Sequence, residues 1–236
     1  MVCAASIACA RSHRSRNCTC VVPQSRRACY GMGHSARTHP GRVIAGIGHG
    51  VTMWMESIGE QVGSPLALLE ESISCVVGLL AGRTVTLEGR YVHVEDISLA
   101  FPPDRRVPVV AGMRGPRSLD LSGRVADGTV LGEGTSPDGV RAAKRLIDEG
   151  RAEAGRTGAH DITVLAELGG AEGILPPDSR KELEISDPVS FAASIRQLAE
   201  AGADSVVLVP SDRDARDDLE RLVVEFVPQL RHELDA

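Results

Sequence analysis

From Gly41 onward the chain alternates short aliphatic runs with longer amphipathic segments, an order that few architectures accept. Arg42–Ile47, Val107–Ala111, Thr129–Leu131, Asp161–Leu168 and Ser205–Val209 read as buried strands. Helices are predicted from Pro65 to about Leu80, Pro116 to Ala126, Pro137 to Ala154, Asp187 to Ala201 and Asp214 to Leu230. Ser64 and Asp187 stand where side-chain caps belong, and Pro65, Pro116 and Pro188 occupy first helical positions, where a missing N–H costs nothing. In the first helix Leu66, Leu69, Ile73, Val76, Val77 and Leu80 are expected to form the buried stripe. Thr84–Leu87 and Tyr91–Val94 flank Glu88-Gly89-Arg90 as a hairpin. Strand followed by helix, repeated five times, means parallel strands joined by right-handed crossovers. That fits an open sheet or strands four to eight of a (β/α)8 barrel, and the pattern alone does not choose.

Composition supports an aliphatic core, because aromatic residues make up only 3% of the chain. It also exposes a discontinuity. Residues 1–40 carry six Arg and no Asp or Glu, which leaves 20 basic against 32 acidic residues in the remainder. Five of the six Cys lie in the first 29 positions. Such a segment could be a transit signal. The spacing of Cys18, Cys20, Cys29 and His34 matches no zinc pattern, so no metal is expected. The reading adopted is that residues 1–31 are atypical and do not pack with the domain formed by 32–236, adding at most one poor strand around Cys20–Val22. Cys75 alone in the rest points to a reducing, cytoplasmic setting. No run of 18 apolar residues suggests a membrane span, and the net charge of −6 gives no reason to expect nucleic acid.

Three stretches carry more than pattern. They are Gly41-Arg42-Val43-Ile44-Ala45-Gly46-Ile47-Gly48-His49-Gly50 with Trp54-Met55-Glu56, then Pro108-Val109-Val110-Ala111-Gly112-Met113-Arg114-Gly115-Pro116-Arg117-Ser118-Leu119, then Leu121 to Leu131 with its Ala126-Asp127-Gly128 turn. The second is the most informative physically. Gly112 and Gly115 let backbone N–H groups approach an anion, Pro116 opens a helix whose dipole favours negative charge, and Arg114 adds a full positive charge. Structural glycines beside a solvated Arg remain the alternative. Gly46, Gly48 and Gly50 do not make a dinucleotide fingerprint, because Val51 stands where the third glycine belongs.

Together these stretches resemble the fourth to sixth strands, with their turns, of the luciferase-like oxidoreductases. The subgroup they resemble uses a deazaflavin coenzyme, as the methylene-tetrahydromethanopterin reductases do, and the hairpin Val85–Val94 is similar to that group's insertion. The resemblance covers about residues 32–236. It implies a partial TIM barrel with about strands four to eight, the first three being absent. It implies cofactor contacts from Gly48, His49, Gly50 and Val51, and phosphate contacts from Gly112, Arg114, Gly115 and Pro116. A third lining comes from the turn Leu131-Gly132-Glu133-Gly134-Thr135. The implied cofactor is coenzyme F420, with FMN as the alternative. An acidic residue found in related deazaflavin enzymes near the position of Val51 is missing.

The activity so implied is hydride transfer between the deazaflavin and a small organic substrate, impaired by the missing strands. An FMN-dependent monooxygenase is the neighbouring reading. A non-catalytic fragment that keeps a phosphate site is the reading from another class. Catalytic residues are not assigned, since the family draws them partly from the first three strands. Open aliphatic edges predict association, here as a homo-oligomer. Two readings stand for His49, a titratable contact to ring or substrate and a polar turn residue. Trp54 reads equally as pocket wall or helix packing. Glu133 could touch substrate, although a solvated Glu is the simpler reading. Asp212, Arg213 and Asp214 read as a solvated loop, and His93 and His232 as surface residues.

Overall fold

The structure, a computed structural model, describes residues 2–8, 18–23, 26–50, 52–168, 188–210, 224 and 227–235. The chain divides into two compact units, Met1–Thr129 with Glu149–His160, and Val130–Asp148 with Asp161–Ala236. Both are α/β, and each contains a parallel strand pair.

In the first unit β1 (Val2–Ala8) and β2 (Cys18–Pro23) pair antiparallel, and the end of β1 meets β3 (Ile44–Gly48) at Ile7 and Ala8. The sequence reading allowed one strand here, around Cys20–Val22; the backbone of this segment forms two. Helix α1 (Arg26–Thr38) buries Met32 and Ala36. β3 runs parallel to β6 (Val109–Gly112) in the register Ala45 to Val109 and Gly48 to Gly112. Alternation is the expected consequence of pleating: Ala45, Ile47, Val109 and Ala111 are buried, while Gly46, Gly48 and Gly112 share the other face.

Helix α2 (Thr52–Ser57) precedes α3 (Pro65–Leu80), whose N-cap Ser64 accepts the Ala67 N–H. The buried stripe of α3 is wider than the predicted one. Leu69, Ile73 and Leu80 are buried as expected, but so are Leu68, Cys75, Gly78 and Leu79, while Leu66, Val76 and Val77 are half-buried. The hairpin of β4 (Val85–Glu88) and β5 (His93–Ile97) packs on this helix at Gly78. A Cβ on Gly78 would lie 2.7 Å from Val85 Cγ2.

A single carboxylate holds the hairpin turn to the helix. Glu71 accepts the N–H groups of Arg90 (2.9 Å), Tyr91 (2.8 Å) and Val92 (2.9 Å). Desolvation pulls this carboxyl upward, but the three N–H donors, with His93 nearby, outweigh it and hold the group below its ordinary value. A carboxyl depressed on folding contributes fully above its unfolded value of about 4.3 and loses that contribution as pH falls through the folded value. Glu71→Gln should therefore lower stability by about 1–2 kcal/mol at neutral pH and by much less in acid. Urea midpoints of both proteins against pH should converge on acidification; parallel curves would rule the clamp out.

Helix α4 (Pro116–Val125) leads to β7 (Gly128–Leu131), within which the chain passes from the first unit to the second. Asp127 sets the start of this strand. Its N–H donates to Val109 O (2.7 Å), and its Oδ2 accepts the Val109 N–H in return (3.0 Å). Arg106 (2.6 Å) and Arg156 (3.0 Å) both donate to its Oδ1. Nearby, buried Ser122 and Thr129 and half-buried His160 form a chain of hydrogen bonds, 2.7 Å from Ser122 Oγ to Thr129 Oγ1 and 2.8 Å on to His160 Nε2.

The second unit carries the first part of α5 (Pro137–Glu153), with Val140, Ala143 and Ile147 buried. β8 (Asp161–Leu168) and β9 (Ser205–Pro210) pair from Thr163 and Ser205 to Leu168 and Pro210. Helix α6 (Pro188–Glu200) and α7 (Val227–Asp235) gather Phe191, Ala192 and Leu230 into a cluster with Ile195 and Leu208. The proposed cap Asp187 and the first part of the predicted helix Asp214–Leu230 lie outside the described residues.

Candidate functional site

Strand polarity settles where the first two glycine turns emerge. Because β3 and β6 are parallel and Gly48 pairs with Gly112, Gly48-His49-Gly50 and Gly112-Met113-Arg114-Gly115 leave the same end of the sheet. All of these residues belong to the first unit. That is the C-terminal end, where parallel α/β folds collect their ligands.

The absence of side chains shapes this end. Among the described residues a Cβ added to Gly112 would meet nothing within 4 Å, one on Gly48 only Gly112 O at 3.5 Å, and one on Gly115 only Ser118 Oγ at 3.8 Å. The backbone of the two strand ends is therefore open to close approach. Gly115 is the N-cap of α4 and provides no side-chain cap, while Pro116 fills a first-turn position. An uncapped helix start presents N–H groups and the positive end of its dipole together. Arg114 and Arg117 are exposed beside it. Ser118, quoted in the motif but not singled out as a contact, lies at this lip. Its only sequence signal was a hydroxyl three residues past the glycine. The donor set suits a phosphorylated coenzyme that also needs room over two bare strand ends.

The first turn is fixed from within. Gly50 has φ of 74°, and a Cβ there would sit 2.7 Å from Met55 Sδ, so α2 is folded back onto the turn. His49 Nδ1 lies 2.7 Å from Gly50 O. A carbonyl only accepts, so Nδ1 is the donor in this contact, and Nε2 is the ring nitrogen left for another partner. Trp54 is 45% exposed, and no residue of α2 is buried, so it does not serve core packing.

The third turn follows β7. Leu131 is buried, Gly132, Glu133 and Gly134 are half-buried, and Thr135 Oγ1 donates to Gly132 O at 2.6 Å. Gly134 has φ of 77°, a conformation that favours glycine. This turn belongs to the second unit. Val51, Asp212, Arg213 and Asp214 lie outside the described residues. His93 is exposed with Glu88 Oε1 at 3.0 Å, and His232 is exposed on α7. Among the described residues no three His, Cys, Asp or Glu side chains gather as a metal site, and no helix is long and apolar enough to cross a membrane.

Residues 36–172 match the family described as luciferase-like monooxygenase. The chain is 33% identical over 135 residues to an F420-dependent glucose-6-phosphate dehydrogenase of Microbacterium testaceum, covering 55% of this chain and 40% of that protein. It is 35% identical over 116 residues to a 5,10-methylenetetrahydromethanopterin reductase of Methanolobus tindarius, covering 49% and 35%. The chain thus spans less than half the length of these curated relatives. Among solved structures it is similar to an F420-dependent secondary alcohol dehydrogenase in complex with an F420–acetone adduct. The TM-score is 0.72 at 17% identity, covering 88% of this chain and 76% of that one.

Proposed function

The chain belongs to the luciferase-like monooxygenase family, and from that premise we propose that it binds coenzyme F420 and takes part in hydride transfer to or from a small organic substrate. The observation that carries this is the pairing of Gly48 with Gly112, which opens two side-chain-free strand ends beside the uncapped start of α4. The backbone N–H groups at the start of α4, Ser118 and Arg114 would hold the coenzyme phosphate. The bare strand ends at Gly48 and Gly112 would admit its ring.

When bound, a deazaflavin supplies a ring carbon that accepts or returns a hydride. The residues of the chain bind, orient and handle protons. His49, held by Gly50 O through Nδ1, would present Nε2 to a substrate hydroxyl.

Titration of the purified chain with F420 and, separately, FMN tests this through the absorbance and fluorescence of each. F420 should bind saturably and more tightly than FMN, and Arg114→Ala should raise its Kd about tenfold at low salt, equivalent to about 1.4 kcal/mol. The effect should shrink as salt screens the charge. Unchanged signals with both coenzymes at high micromolar concentration would overturn the proposal, and saturation by FMN alone would transfer the site to flavin.

A further inference from the structure

The short helix α2 has apolar residues that its own packing does not use. Met53 is 64% exposed, Trp54 45% and Ile58, just beyond the helix, 56%. Burial of such side chains is favourable, and a solvated helix has no reason to carry three of them in six positions. The segment is also firmly built. Ile58 N donates to Trp54 O, Glu60 N to Met55 O at 2.8 Å, and Ser57 Oγ to Trp54 O at 2.8 Å. Trp54 and Ile58, four residues apart and joined by that first bond, share one face.

Position and charge narrow what that face can receive. Met55 is packed on Gly50, which fixes α2 against the turn at the open end of β3 and β6. Between Gly48 and Val62 the sequence has two Glu and no Lys or Arg, whereas Arg114 lies on the second turn and Arg117 in the first turn of α4. One flank therefore favours phosphate, and the other favours a neutral, apolar molecule. A protein partner is disfavoured by area. A fully buried aromatic side chain contributes about 150–250 Å², and a stable interface needs about 800 Å² on each side. Three half-exposed side chains fall well short.

We propose that Trp54 and Ile58 form the substrate wall of the site and that the substrate class is a neutral, apolar alcohol or carbonyl compound, not a phosphorylated sugar. This rests on the coenzyme reading above. It goes further by assigning substrate selection to α2 and not to the arginine-bearing turn.

Trp54 is the only Trp in the chain, so its emission reports on this face directly. The full chain loaded with F420 is titrated with cyclohexanone and with glucose 6-phosphate, following Trp54 fluorescence and, by calorimetry, binding heat. Cyclohexanone should quench saturably, and glucose 6-phosphate should not compete with it. Trp54→Ala and Ile58→Ala should each raise the cyclohexanone Kd at least about fivefold while the F420 Kd stays within twofold of the parent. Saturation by glucose 6-phosphate in place of cyclohexanone would overturn the inference. So would cyclohexanone affinity unchanged in both variants, or loss of a dimer in Trp54→Ala on sedimentation, which would make the face a self-association surface. If the parent chain takes up no F420, the coenzyme proposal fails on its own readout. The cyclohexanone titration of the free chain then decides this one, with a linear, non-saturating response counting against it.

Discussion

Gly112→Val is expected to weaken F420 binding by at least about 100-fold, equivalent to about 2.7 kcal/mol, while shifting folding stability by less than about 1 kcal/mol. The two halves of this expectation come from one geometric fact. Among the described residues a Cβ at Gly112 meets no atom within 4 Å, and the residue is absent from the positive-φ glycines, so a side chain there is compatible with the described fold. Valine even suits a strand better than glycine does. Only a molecule lying against the strand end would collide with it. Gly50→Val is the contrasting control: its φ of 74° and the 2.7 Å approach to Met55 Sδ should damage the turn itself. Urea denaturation beside F420 titration separates the cases. A Gly112→Val protein that folds and binds F420 like the parent would remove the cradle from the coenzyme site.

The strand and helix order was legible because each aliphatic run is short, bounded by Gly, Pro or Asp, and followed by a helical period. β8 matches its expected span, and β3, β6 and β7 start or end within two residues of theirs. The glycines and Arg114 of the second turn could be read as an anion site, since the Pro116 helix start was visible in sequence. Strand pairing was not, because a run such as Val107–Ala111 does not name its neighbour. Only the Gly48–Gly112 register shows that the two turns open together. The Glu71 clamp was equally hidden. It joins residues 19 to 21 positions apart, and a Glu inside an amphipathic helix gives no sign that it will accept backbone donors from a hairpin. The burial of Gly78 on α3 was missed for the same reason, as the hairpin covering it is a tertiary contact. His160 gave no signal at all, although it closes the hydrogen-bonded chain through Thr129 to Ser122.

The Ala126-Asp127-Gly128 turn raises a different issue, because a motif that identifies a family need not perform its chemistry. Asp127 precedes β7 and sits at the start of β6, the end of the strands away from Gly112. Its N–H and carboxylate exchange two hydrogen bonds with Val109, whose side chain is buried. The second unit repeats the device: Asp204 N donates to Ile162 O and Asp204 Oδ2 accepts the Ile162 N–H, each at 2.8 Å. In both cases an Asp just before a strand ties its own backbone to the start of an earlier strand through two hydrogen bonds. Asp127 does more, because Arg106 and Arg156 share its other oxygen. Its removal would strand a backbone N–H and leave two guanidinium groups without that carboxylate. Asp127→Ala should therefore cost about 2–4 kcal/mol and Asp204→Ala about 1–2 kcal/mol. Asp127→Asn should fall between, because its carbonyl oxygen can still accept the Val109 N–H but its amide repels the arginines. Coenzyme affinity, measured where each variant remains folded, should stay within about twofold of the parent. A variant that keeps its urea midpoint yet loses F420 would transfer this aspartate from the scaffold to the site.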